Sequence, residues 1–133
     1  MDSDVVRSIV YIEDDPEMID LVSLILSKRG FQVKGANGGR HGLDLVKKLA
    51  VEAKPALILL DLMMPDIDGW DVYQLLKSDD ATRDIPVIII TAKAQSIDRV
   101  LGLHIAKVDD YISKPFRPQE LIDSIERVLA AQS

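Results

Sequence analysis

Apolar runs of about five residues alternate along the chain with segments whose apolar positions recur at helical spacing. Ser8 to Ile12 reads as a first strand. It ends in Glu13-Asp14-Asp15-Pro16. Pro16 suits the first turn of a helix and Asp15 its N-cap; Met18, Leu21, Val22, Ile25 and Leu26 give that helix its apolar stripe, and Gly30 stops it. Phe31 to Ala36 reads as a second strand, Asn37-Gly38-Gly39 as a turn, and Leu43, Val46, Leu49, Ala50 and Ala53 as a helix closed before Pro55. Ala56 to Leu60 is apolar on both faces, as in a strand buried within a parallel sheet, and it ends in Asp61. Leu62 to Gly69, with Pro65 and two aspartates, reads as a loop. Val72, Leu75 and Leu76 mark a third helix starting near Asp68. Ser78 to Asp84 is a polar loop, and Pro86 opens a fourth strand, Val87 to Ile90, ending at Thr91. Ile97, Val100, Leu101 and Ile105 predict a fourth helix, and Val108 to Ile112 a fifth strand followed by Ser113-Lys114-Pro115-Phe116. Leu121, Ile122, Ile125, Val128 and Leu129 predict the last helix.

This alternation implies an α/β fold, a doubly wound parallel sheet with helices on both faces and right-handed crossovers. In such sheets ligands bind at the carboxyl ends of the strands. Glu13, Asp14, Asp61, Thr91 and Lys114 all stand at or just beyond such ends, so they can converge on one pocket.

Composition narrows what that pocket does. A chain of 133 residues reads as one domain over 1–133, with its core at about 7–130. A net charge of −6 argues against nucleic acid and anionic membranes as direct partners. The absence of Cys excludes thiolate metal sites and Cys nucleophiles. No apolar run approaches the roughly 20 residues of a membrane span, and the acidic start is no signal peptide, so a cytoplasmic location is expected.

Clustered carboxylates repel, each pair by about 4 kcal/mol at ~4 Å near a protein surface. Such a cluster either protonates or binds a hard cation. Carboxylates with a backbone carbonyl and open water positions suit Mg²⁺. An ammonium and a hydroxyl beside the same carboxylate suit phosphoryl transfer onto it, with Asp61 as nucleophile.

The pieces Glu13-Asp14-Asp15-Pro16, Leu60-Asp61-Leu62-Met63-Met64-Pro65-Asp66-Ile67-Asp68-Gly69, Ile90-Thr91-Ala92 and Asp109-Asp110-Tyr111-Ile112-Ser113-Lys114-Pro115-Phe116 stand in order at successive strand ends. In these the chain resembles the CheY-like receiver domains of two-component response regulators, over nearly its whole length. The resemblance implies a single receiver domain of flavodoxin-like (βα)5 fold with strand order 2-1-3-4-5. It implies that Asp61 accepts a phosphoryl group from the phosphohistidine of a sensor histidine kinase or phosphotransfer protein. It implies Mg²⁺ held by Asp14, Asp61 and the Met63 carbonyl, with Glu13 acting through water. Thr91 and Lys114 would hold the phosphoryl oxygens, Tyr111 would be the switch aromatic, and Met63 and Lys93 would tune dephosphorylation. The Lys114-Pro115 bond resembles one that is cis in the family. The domain would catalyse only its own phosphorylation and dephosphorylation. The fourth helix, fifth strand and last helix would signal to an unknown downstream protein.

Read singly, each residue has a plainer role. Asp14 or Asp15 caps a helix, Glu13 is solvated, Thr91 is a β-branched strand end, Lys114 is a surface lysine and Tyr111 is a core aromatic. His41 reads as solvated, His104 as a packed or rim residue, and Trp70 as helix packing. The alternatives are an unphosphorylated interaction module of the same fold and a Mg²⁺-dependent phosphohydrolase. The second needs an Asp where Met63 stands. A flavin domain fits less well, because acids occupy the edge where a phosphate would sit.

Two departures from the family pattern affect output. Ile105-Ala106-Lys107-Val108 lacks the glycine that would give the fourth helix its left-handed stop. Arg99 and Glu120 match one cross-subunit pair of transcription-factor receivers. The partner expected for Asp110 falls at the uncharged Ser124, with Arg127 one turn on as a substitute. A monomer or weak homodimer is therefore expected.

Overall fold

A computed structural model of the chain describes residues 7–92 and 107–132. Among these residues, strands β1 (Arg7–Glu13), β2 (Phe31–Asn37), β3 (Leu57–Leu60), β4 (Val87–Thr91) and β5 (Asp110–Ser113) form one parallel sheet in the order β2-β1-β3-β4-β5. The described helices are α1 (Pro16–Ser27), α2 (Gly39–Glu52), α3 (Gly69–Ser78) and the last helix, α4 (Pro118–Ala131). The helix predicted around Ile97 to Ile105 lies outside the described residues, as do Lys93, Arg99 and His104.

Alternate side chains of a strand point to opposite faces, and each face is covered. Ile9, Tyr11, Leu57, Leu59, Ile88 and Ile90 pack against Val22 and Leu26 of α1 and Leu121, Ile125 and Val128 of α4. Val10, Ile12, Ile58, Leu60, Val87 and Ile89 pack against Leu43, Val46 and Leu49 of α2 and Val72, Tyr73 and Leu76 of α3. Burial on both sides is why these strands are continuous apolar runs rather than alternating ones.

The helix starts differ in how their free N–H groups are satisfied. Asp15 accepts from Glu17 N at 3.0 Å and Asp68 from Trp70 N at 2.7 Å, both as N-caps. α2 begins after Gly38, which has no side chain to offer. Asp66, from the loop after β3, supplies the acceptors instead, taking Gly39 N at 3.1 Å and Arg40 N at 3.0 Å. A Cβ on Gly39 would lie 2.0 Å from Ile67 Cγ2, so only glycine lets the helix start sit this close to that loop.

The fifth strand begins two residues later than the apolar pattern predicts. Lys107 adopts a left-handed backbone with φ 63°, and so takes the conformation that a glycine would supply more easily. Asp109 is held at the foot of β4 by its N–H on Val87 O at 2.9 Å and its carboxylate on Val87 N at 2.8 Å. Parallel pairing of β5 with β4 starts only after this clamp, at Asp110.

Candidate functional site

Backbone hydrogen bonds carry the ladder one residue beyond the strands and fix the residues at its carboxyl edge. Asp61 N donates to Ile12 O at 3.0 Å, and Lys114 N donates to Thr91 O at 2.9 Å. Asp61 is thereby set beside the end of β1, and Lys114 beside the end of β4. The Lys114-Pro115 peptide is cis, as the resemblance implies.

The side chains then meet. Lys114 Nζ lies 2.6 Å from Glu13 Oε1 and 3.0 Å from Asp61 Oδ2. Met63 N donates to Asp61 Oδ1 at 2.9 Å, so both oxygens of Asp61 have a donor. Glu13 is more fully held. Its Oε1 accepts Tyr11 Oη at 2.9 Å as well as Lys114, and its Oε2 accepts the N–H groups of Asp14 at 3.0 Å and Asp15 at 3.2 Å. Both carboxylates are withdrawn from solvent, Glu13 at 1% and Asp61 at 3% exposure. Burial pushes the Glu13 carboxyl up, and the Asp61 charge adds to this, against the opposing hydrogen bond from Lys114. Burial alone would lower the Lys114 ammonium. The hydrogen bonds and charges of Glu13 and Asp61 outweigh it and leave the ammonium raised.

Carboxylate oxygens of Glu13, Asp14 and Asp61 lie within 4.8 Å of one another. This all-oxygen set fits a small hard cation such as Mg²⁺. Asp14 is the most open of the three. Glu13, with four donors already on its two oxygens, fits contact through a metal-bound water better than direct ligation. Thr91 completes the edge. Its hydroxyl is buried and, among the described residues, has no hydrogen-bond partner. A buried donor without a partner is costly unless something arrives to accept it.

Of the other expected site residues, Met63 is 52% exposed beside Asp61, and Tyr111 is buried in the core cluster next to Val108. Trp70 is no lid. It packs edge-to-face on Tyr73, with ring centroids 6.1 Å apart. His41 is exposed, and its Nδ1 accepts Asn37 N at 3.1 Å. Two residues that touch the site or its loop are not evident as such in the sequence, Tyr11 and Asp66.

The family model described as "Response regulator receiver domain" matches residues 9–126. The chain belongs to the receiver domains of response regulators. Among curated proteins it is 41% identical over 121 residues to the DNA-binding dual master transcriptional regulator RpaA of Synechocystis, covering 91% of this chain and 48% of that protein. It is 37% identical over 116 residues to the DNA-binding response regulator MtrA of Mycolicibacterium smegmatis, covering 87% and 47%. Among solved structures, a CheY-like response regulator receiver domain protein of Methanospirillum hungatei superposes with a TM-score of 0.82 at 26% identity, covering 96% of this chain and 97% of that one.

As a receiver domain the chain is a signalling module of two-component systems rather than a classical enzyme. It spans about half the length of the curated relatives it matches. Those relatives are named as DNA-binding, so the expectation of no nucleic-acid partner, drawn from the charge of these 133 residues, is not supported for a protein of their length. No described helix is long and apolar enough to cross a membrane.

Proposed function

We propose that Asp61 is the phosphoacceptor of a phosphorelay, charged from the phosphohistidine of a histidine kinase or phosphotransfer protein in the cytoplasm. The observations that carry the reading are the Lys114 ammonium on Asp61, the carboxylates of Glu13 and Asp14 within 4.8 Å of it, and the unpartnered buried hydroxyl of Thr91 at the end of the neighbouring strand. A carboxylate oxygen of Asp61 attacks phosphorus as the bond to the donor imidazole nitrogen breaks, and the electron pair leaves with that nitrogen. The product is an acyl phosphate. Lys114, already on Asp61 Oδ2, follows the transferred group onto a phosphoryl oxygen while Glu13 keeps hold of it. Thr91 donates its free hydroxyl to another phosphoryl oxygen. The Met63 N–H fixes the rotamer of the nucleophile.

Mg²⁺ would be held by Asp14, Asp61 and the Met63 carbonyl, with Glu13 acting through water. Bound there, it would neutralise charge on the transferring oxygens. The movement of Thr91 toward the phosphoryl group would be read at Tyr111 and passed to the face formed by β5 and α4. The test is hydroxylamine treatment of protein labelled by a small phosphodonor, followed by peptide mapping. Hydroxylamine cleaves an acyl phosphate and leaves a hydroxamate at Asp61. A label that resists it, or that maps to another residue, would refute the assignment.

A further inference from the structure

Tyr11 interrupts an otherwise aliphatic strand interior. It is fully buried, and its ring packs among Ile9, Leu57, Leu59 and Ile88. A hydroxyl placed in such a cluster is costly unless it finds an acceptor. Tyr11 and Glu13 share a face of β1 by strand alternation, and the phenol reaches Glu13 Oε1 at 2.9 Å.

That oxygen is the one on which Lys114 rests at 2.6 Å, closer than the 3.0 Å to Asp61. The ammonium already leans toward Glu13, although phosphoryl transfer needs it at Asp61. A neutral donor on Oε1 takes up part of that oxygen's charge and weakens its hold on Lys114. A hydrogen bond to a charged group is worth enough to change a rate by about tenfold when it is lost.

We propose that Tyr11 is a positioning residue that keeps the Lys114 ammonium shared between Glu13 and Asp61. The proposal rests on the phosphoacceptor reading for its effect on rate, but not for its effect on Lys114 itself. Without the hydroxyl, Glu13 draws the ammonium away from Asp61. The Asp61 nucleophile and its phosphoryl product then lose the ammonium that lies 3.0 Å from Asp61 Oδ2, while Asp14 and Asp61 remain as cation ligands.

The test compares wild type, Tyr11→Phe, Glu13→Gln and the double variant as full chains. In ¹⁵N-lysine-labelled protein without Mg²⁺, the side-chain signal of Lys114 should shift in Tyr11→Phe and not shift further when that change is added to Glu13→Gln. The maximal rate of labelling by a small phosphodonor should fall about tenfold in Tyr11→Phe. The affinity for MgCl₂ by calorimetry should not fall, because the ammonium moves away from a cation ligand, and the melting temperature should drop by no more than the loss of one buried hydrogen bond allows. A Lys114 signal unmoved by Tyr11→Phe overturns the proposal whatever the labelling shows. So does a loss of Mg²⁺ affinity in parallel with the loss of labelling, which would mark Tyr11 as structural only. Absence of labelling in wild type with a shifted Lys114 signal would refute the phosphoacceptor reading and leave the positioning role intact.

Discussion

Arg127 Nη2 lies 2.5 Å from Asp110 Oδ2 within the same chain. Ser124 Oγ donates to the same oxygen at 2.6 Å. Glu120, the other acid of the expected cross-subunit network, accepts Arg117 N at 2.8 Å as part of the cap of α4. Both acids on this face are therefore committed internally.

A symmetric dimer through this face would have to break those bonds first, and exposed ion pairs return little when remade across subunits, about 0–1 kcal/mol each. Light scattering should find a monomer or a weak dimer, with or without a phosphoryl mimic. A tight dimer appearing on phosphorylation would contradict this.

The same pair should shape the acid side of the stability curve. Burial opposes ionisation of Asp110, but the Ser124 hydroxyl, the Tyr111 N–H and the Arg127 guanidinium outweigh it and hold the carboxyl below its ordinary value. A carboxyl lowered in the folded state gives stability that is present above its unfolded value, near 3.9, and lost as pH falls through the folded one. Glu13, raised in the folded state, acts in the opposite sense. The informative quantity is thus the difference between wild type and Asp110→Asn. Urea titrations should show the variant less stable by about 1 kcal/mol at neutral pH, with the gap closing as pH drops. A gap that does not change with pH would count against the pair.

Asp66 ties the loop after β3 to the start of α2. Asp66→Ala should cost about 1 kcal/mol, the usual size of a lost N-cap, and Asp66→Asn much less. Chemical denaturation measures both. Equal losses would mean that the cap contributes nothing beyond charge.

Phosphate lifetime tests the surroundings of Asp61. Met63, exposed beside it, offers no carboxylate or amide to orient a hydrolytic water, and Lys93 offers none either. Radiolabelled protein in Mg²⁺ should lose its phosphate slowly compared with fast chemotaxis-type receivers. A lifetime of seconds would argue against this.

The strand ends that build the site are legible in the sequence for a physical reason. Strands buried on both faces must be apolar runs, so the first charged residue after each run marks the sheet edge, as at Glu13, Asp61 and Lys114. Contacts that depend on three-dimensional reach are not legible in this way. Tyr11 looks like one more apolar strand residue until its hydroxyl is seen on Glu13. Asp66 looks like turn composition, because the helix it caps begins 27 residues earlier in the chain. The start of β5 is misjudged at Val108, whose apolar character marks core packing. Lys107 and the Asp109 clamp, not hydrophobicity, decide where strand geometry begins.

The central claim is tested most directly by intact mass after incubation with a small phosphodonor, with and without Mg²⁺, on wild type and Asp61→Asn. The account expects one phosphoryl adduct on wild type that requires Mg²⁺ and is absent from the variant. No adduct on folded wild-type protein under any condition, or an adduct that persists in Asp61→Asn, would contradict it.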